Sequence, residues 1–292
     1  MTAARYGAQS MVGALRRVVV RPPDEAMAAA DPGSWHYTGP IDLSAARAAH
    51  AQLVTRLRDW GVEVLVHDGP LPAHSDSVFV FDPALVTDAG TVVLSMGKAL
   101  RRGEEDALAS FLEGEGVPVA ARITGEGRVE GGDTLWLDHD TLAVGMGFRT
   151  NAEGVRQLRA ALEPLGVTVV AYDLPYFTGP EACLHLLSLV SPVDVGFAVA
   201  YPPLMPTALW RELERRGVRL FEVPEEEFVS TQGTNVLTVA PRRCILLEGN
   251  PVTQRLLERE GCEVATIPGA PLSFKAEGGP TCLTRPVLRD PE

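Results

Sequence analysis

Several things are scarce in this chain of 292 residues. It has four cysteines, Cys183, Cys244, Cys262 and Cys282, with no C-x-x-C pair and no finger-type spacing. That pattern excludes a small disulfide scaffold and a zinc finger, and it predicts a reduced, cytoplasmic protein. No apolar run is long enough for a signal peptide or a membrane helix, although Arg5, Arg16 and Arg17 make the first residues basic. Basic residues form pairs such as Arg101-Arg102 and Arg242-Arg243 rather than runs, and the net charge is −12. The overall field repels a phosphate backbone, so neither a nucleic acid nor a membrane is expected as partner.

What is present is a large core and a repeat. With 46% hydrophobic and 22% charged residues, the chain can fold as one domain over residues 1–292. Residues 1–10 read as a disordered leader. Residues 15–20 (LRRVVV) read as a strand stopped by Pro22-Pro23. Residues 23–43, rich in Pro, Gly, Asp and Ala around Trp35-His36-Tyr37, read as a mobile loop that could cover a site. A helix is expected over residues 43–60, with Ser44 as its N-cap.

Directly after that helix come Gly61-Val62-Glu63-Val64, a helix C-cap glycine running into a strand. The phrase recurs at Gly116, Gly166, Gly217 and Gly261, at intervals of 55, 50, 51 and 44 residues. Each copy follows a helical stretch, at residues 104–113, 152–165, 209–216 and 252–260. Strand pairs fill the intervals: residues 78–85 with 91–95, 134–137 with 141–146, 183–190 with 196–200, and 235–239 with 244–247. The unit is ββαβ, and five of them predict an α/β ring whose last segment, near Cys282, completes the unit begun at Leu15. An open α/β sheet with five crossovers is the alternative.

Polar candidates fall in one register on this repeat. Asp82, Glu130, His185, Asn235 and Cys282 lie 21, 14, 19, 18 and 21 residues after their cap glycines. In a ring, equivalent positions converge at one end of the axis. Cys282 follows a Gly-Gly-Pro turn that lets backbone approach a ligand. His185 in an apolar run requires a partner, and Glu130 and Asp82 can supply charge. Taken singly, each has a structural reading as a small core residue or a turn residue.

In order along the chain stand DSVFVFD (76–82), RRGE (101–104), EGGD (130–133), RTNAEGVRQ (149–157), LHL (184–186) and GGPTCL (278–283). Together they resemble the dimethylarginine dimethylaminohydrolase branch of the guanidino-modifying enzymes, over about residues 15–285. The resemblance implies a five-bladed pseudo-symmetric α/β propeller and a hydrolase that needs neither metal nor cofactor. It implies Cys282 as nucleophile on a guanidinium carbon, with its pKa lowered by the cationic substrate and by protonated His185. His185 would act as acid and then base, and Glu130 would orient it. Asp82 would hold the guanidinium, Arg101 and Arg149 the substrate carboxylate, and Asp76 the substrate amino group, while Asp133 is a turn residue. The substrate would be an N-methylated arginine or arginine, and the product a ureido compound. Where the family carries a Glu-Asp pair this chain has Phe81-Asp82, and His185-Leu186-Leu187 lacks the His-x-Asp of arginine deiminases. An amidinotransferase, and more remotely a non-catalytic ribosome anti-association module, share the expected fold; a homo-oligomer is left open. Cys183 is placed on the His185 face of a strand, as a second thiol.

Overall fold

Residues 5–181 and 183–291 are described by the structure, a computed structural model. Among them, fifteen strands form five sheets of three. The first sheet contains β1 (Leu15–Val20) and β2 (Glu63–Val66), the second β3 (Ala84–Thr87), β4 (Gly90–Val93) and β5 (Val119–Arg122). The third contains β6 (Thr134–Asp138), β7 (Thr141–Met146) and β8 (Thr168–Asp173), and the fourth β9 (Val190–Asp194), β10 (Phe197–Ala200) and β11 (Arg219–Glu222). The fifth contains β12 (Leu237–Ala240), β13 (Arg243–Leu247) and β14 (Glu263–Ile267). In each of these four complete sheets, an antiparallel hairpin is followed by a helix and a parallel third strand.

The repeat has a simple physical cause. The helices Leu43–Asp59, Glu104–Gly114, Ala152–Leu162 and Thr207–Arg215 each bury two leucines four residues apart. These pairs are Leu53 and Leu57, Leu108 and Leu112, Leu158 and Leu162, and Leu209 and Leu213, each at most 2% exposed. Fully burying such a side chain stabilises the fold by about 1.5–3 kcal/mol, so this stripe fixes these four helices on their sheets, while the fifth, Pro251–Arg259, buries Thr253 and Leu257. All five cap glycines then take positive φ, between 75° and 85°. An L-residue there is strained, which explains why the phrase repeats.

The ring closes through both ends of the described chain. β15 (Arg285–Arg289) pairs antiparallel with β1, Leu15 opposite Arg289 and Val19 opposite Arg285. Residues of the first strands of all five sheets, Leu85, Trp136, Ser191, Thr238 and Arg285 among them, line one narrow axial channel.

Several expectations need correction. Residues 1–4 of the expected leader lie outside the described residues, but Gly7 bridges Leu288 and Ala8, Gln9 and Ser10 are buried against the axial channel and its surroundings. Residues 23–43 contain two short helices, Glu25–Ala28 and Pro32–Trp35, and bury Met27, Tyr37 and Ile41. The long helix is capped by Asp42, whose carboxylate takes the Ala45 N–H, and not by Ser44. Three first strands start late: β3 at Ala84, β9 at Val190 and β12 at Leu237. The residues before them use their backbone in turns, such as Phe79 N to Asp76 O and Ser188 N to His185 O, so they have no ladder to join. The site residues therefore precede the strands.

Candidate active site

Six of the seven candidates, Asp76, Asp82, Arg101, Arg149, His185 and Cys282, line one cavity of about 490 Å³. Glu130 stands behind His185, fully buried. The convergence expected from the register is observed.

His185 Nε2 lies 2.7 Å from Glu130 Oε2. The other carboxylate oxygen of Glu130 accepts the backbone N–H groups of Gly97 at 2.9 Å and Lys98 at 3.0 Å. Burial alone would push the Glu130 carboxyl up, but the His185 hydrogen bond and Arg149 hold it well below the usual carboxylate range. Burial opposes charge on His185 as well, yet Cys183, Asp82 and Asp133 outweigh it and raise the imidazole well above its ordinary value. The resting pair is an imidazolium and a carboxylate.

The EGGD motif explains itself sterically. A Cβ on Gly132 would stand 2.4 Å from His185 Nδ1, and one on Gly131 2.2 Å from the Phe81 carbonyl oxygen. Gly132 N also donates to Asp82 Oδ1 at 3.0 Å. Asp133 does more than turn the chain. Completely buried, it accepts from Leu186 N at 3.0 Å and from the Thr150 hydroxyl at 2.6 Å, tying the His185 segment to the Arg149 segment. Burial raises its carboxyl to about 6.

Cys282 is partly buried, and its sulfur receives a hydrogen bond from Asn235 Nδ2 at 3.2 Å. Asn235 Oδ1 takes the Thr281 N–H at 3.0 Å. The Gly-Gly turn makes room for this grip: a Cβ on Gly279 would meet the Asn235 side chain at 2.5 Å. The expected depression of the thiol pKa draws on a substrate cation as well as on His185. Burial, with Asp82 nearby, pushes Cys282 up to about 11, against the opposing pull of Asn235 and His185.

Arg101 is held on three sides. Its Nη1 donates to Asp82 Oδ2 at 2.6 Å, its Nη2 to the Phe79 carbonyl at 2.9 Å and to Glu104 at 2.8 Å. At 3% exposure, this guanidinium lines the cavity and is engaged by the carboxyl groups of Asp82 and Glu104. Arg149, with Nη1 3.4 Å from Glu130, keeps a wall of the cavity. Asp76 accepts from the Tyr37 hydroxyl at 2.8 Å and from Lys98 Nζ at 2.6 Å. Lys98 also donates to the Trp35 carbonyl at 3.0 Å and lies over that indole ring. Segment 23–43 is thereby fastened to the cavity rim. Asp82, Glu130 and His185 place donor atoms within 4.8 Å of one another, as a metal site would. Each already faces a partner, so the trio is built as an ion-pair network.

A family model described as N,N dimethylarginine dimethylhydrolase, eukaryotic, matches residues 34–286. The chain belongs to that family. Among its relatives is an N(G),N(G)-dimethylarginine dimethylaminohydrolase of Streptomyces coelicolor, 33% identical over 231 residues, 79% of this chain and 81% of the relative. The structure of a dimethylarginine dimethylaminohydrolase from Pseudomonas aeruginosa, complexed with citrulline, superposes with a TM-score of 0.76 at 24% identity, covering 93% of this chain and 99% of that one. An amidinotransferase from Microseira wollei superposes with a TM-score of 0.80 at 16% identity, covering 99% and 98%. The five sheets are thus the blades of the family's α/β propeller, and the chain is a hydrolase of the guanidino-modifying class.

Within this dimethylargininase-type frame, Cys183 Sγ lies 3.8 Å from His185 Nδ1, on the same side as expected, with His185 in extended backbone although both residues precede β9. Two other contacts escaped the sequence. Phe81 carries on its ring the guanidinium of Arg285, 3.7 Å from the centroid. Asn235 stood in the register without a role; its contact with sulfur depends on the turn before β12, which no pattern of hydrophobicity encodes.

Proposed function

We propose that this chain hydrolyses the guanidinium group of arginine or an N-substituted arginine, giving a ureido product and ammonia or an amine. The observation that carries the reading is the cavity itself, where the Asn235-held sulfur, the His185–Glu130 ion pair and Asp82 meet. Asp82, held by Arg101 and Gly132 N–H, pairs with the guanidinium nitrogens and keeps the central carbon near the sulfur. The bound cation favours the thiolate of a cysteine that is otherwise neutral. Cys282 Sγ then bonds to that carbon. His185, as imidazolium, gives its proton to the departing nitrogen as the C–N bond breaks, leaving an S-alkylthiouronium. Neutral His185 takes a proton from water as the C–O bond forms, and the C–S bond breaks to restore the thiolate. Glu130 stabilises the charged imidazole throughout, a positioning role.

Arg149 is assigned to the substrate carboxylate and Asp76 to its amino group, which would enter where Lys98 now sits. Movement of segment 23–43 would admit the substrate, since its anchor is the same Asp76. Transfer of the amidino group to an amine is the second reading, supported by the shared fold with the amidinotransferase. Four free cysteines support a cytoplasmic location. Among the described residues, no helix is long and apolar enough to cross a membrane.

A panel of arginine, methylated arginines, agmatine and small guanidino acids, assayed for ureido product and released amine, tests the proposal. Cys282→Ser should abolish turnover while the protein stays folded. Undiminished turnover in that variant, or loss confined to Cys183→Ala, would move the nucleophile elsewhere.

A further inference from the structure

We propose that the axial channel of the propeller is a halide site, which takes chloride against the guanidinium of Arg285. The channel has room for about 20 Å³, enough for one water-sized or halide-sized occupant and too little for sulfate or phosphate. Its walls carry two buried arginines, Arg285 at 3% and Arg289 at 6% exposure, and among the described residues no Asp or Glu lines it. Arg285 has no ion-pair partner among the described residues. One of its nitrogens donates to the Phe81 carbonyl, and its face rests on the Phe81 ring. Asp82, the acid that acts on it through space, is already bound by Arg101 and Gly132.

Three buried donors belong to the residues around this channel and have no hydrogen-bond partner among the described residues: Arg285 Nε, Thr281 Oγ1 and Trp136 Nε1. Leaving such groups unmet is costly, about 1–3 kcal/mol each and more for a charged one. A water could accept from them but would need acceptors for its own two hydrogens. The Thr134 and Thr238 hydroxyls, whose protons go to Gly131 O and Pro192 O, could accept them, but a neutral water would leave the Arg285 charge uncompensated. An anion has no hydrogens to place and supplies the charge that a buried, unpaired guanidinium lacks. Burial already lowers the Arg285 pKa to about 9, the direction an uncompensated cation takes. Since Thr281 precedes Cys282 and gives its N–H to Asn235, an ion here would brace the backbone that carries the sulfur.

Crystals grown in sodium bromide test the site without any substitution: an anomalous peak is expected in the channel beside Arg285. In solution, Tm should be about 2–4 °C higher in sodium chloride than in sodium gluconate at equal ionic strength. Arg285→Met should abolish that difference. Should that variant fail to fold, Thr281→Val is expected to raise the chloride midpoint of the Tm shift by about 3- to 10-fold, the loss of one hydrogen bond. An empty or water-filled channel at saturating bromide overturns the proposal. So does a bromide peak without chloride-dependent melting, which would mark an adventitious ion only.

Discussion

Asn235 holds the loop of Cys282 at two points, the sulfur at 3.2 Å through its amide nitrogen and the Thr281 N–H at 3.0 Å through its oxygen. A single amide thus fixes the rotamer of the thiol and donates to it when ionised. Asn235→Ala should lower kcat/KM by about 10- to 100-fold, the weight of a hydrogen bond to a charged group. The circular dichroism spectrum should be unchanged. An unchanged rate of alkylation by iodoacetamide at fixed pH would remove Asn235 from this role.

Free Cys282 should be a poor nucleophile. Its thiol, pushed up to about 11 by burial and Asp82, should titrate at that pH when followed by thiolate absorbance in a variant lacking Cys183. A saturating guanidinium ligand should bring the midpoint down by a unit or more. A free-enzyme midpoint near neutrality would contradict the described electrostatics.

The His185–Glu130 pair predicts a signed pH effect. Because the folded imidazole is raised, the stability it contributes is complete below its ordinary value near 6.5 and is lost as pH rises through the folded pKa. Because Glu130 is depressed, its contribution is present above its ordinary value near 4.3 and is lost as pH falls through the folded pKa. Glu130→Gln should therefore destabilise most between these limits. It should also move the alkaline limb of the kcat profile to lower pH by about 1–3 units. A limb that stays in place would assign it to another group.

Gly132→Ala separates site from fold. The added methyl would lie 2.4 Å from His185 Nδ1, and Gly132 has no positive φ that would strain the backbone itself. We expect Tm within about 2–4 °C of wild type, a cost near 1 kcal/mol, with turnover nearly abolished. Full activity would mean that His185 can move away without loss.

Arg101→Met should act first on stability. It would leave Asp82 and Glu104 buried without their cation, a break that costs about 3–5 kcal/mol. Denaturant midpoints would measure it. A loss confined to KM, with stability intact, would favour a substrate-clamp role for Arg101 instead.

How far the sequence reached depends on the kind of signal. A cap glycine running into a strand is local and repeats, so the five units and their closure by the segment near Cys282 could be read directly. The register from cap glycine to polar residue located Asp82, Glu130, His185 and Cys282 for the same reason. Partner choice could not be read. Arg101 finding Asp82 and Glu104, or Lys98 occupying Asp76, depends on side-chain direction across blades. The burial of Ala8 and Ser10 beside the channel likewise follows from an axis that exists only once the ring has formed.

The pairing of β1 with β15 has a consequence for synthesis. β1 leaves the ribosome long before its partner, so one of its edges stays open until residues 285–289 emerge. Through most of translation the nascent propeller therefore presents a hydrophobic strand edge, LRRVVV, to chaperones or to neighbouring chains. Emergence of residues 285–289, not the folding of any single blade, is the event that assembles a working thiol.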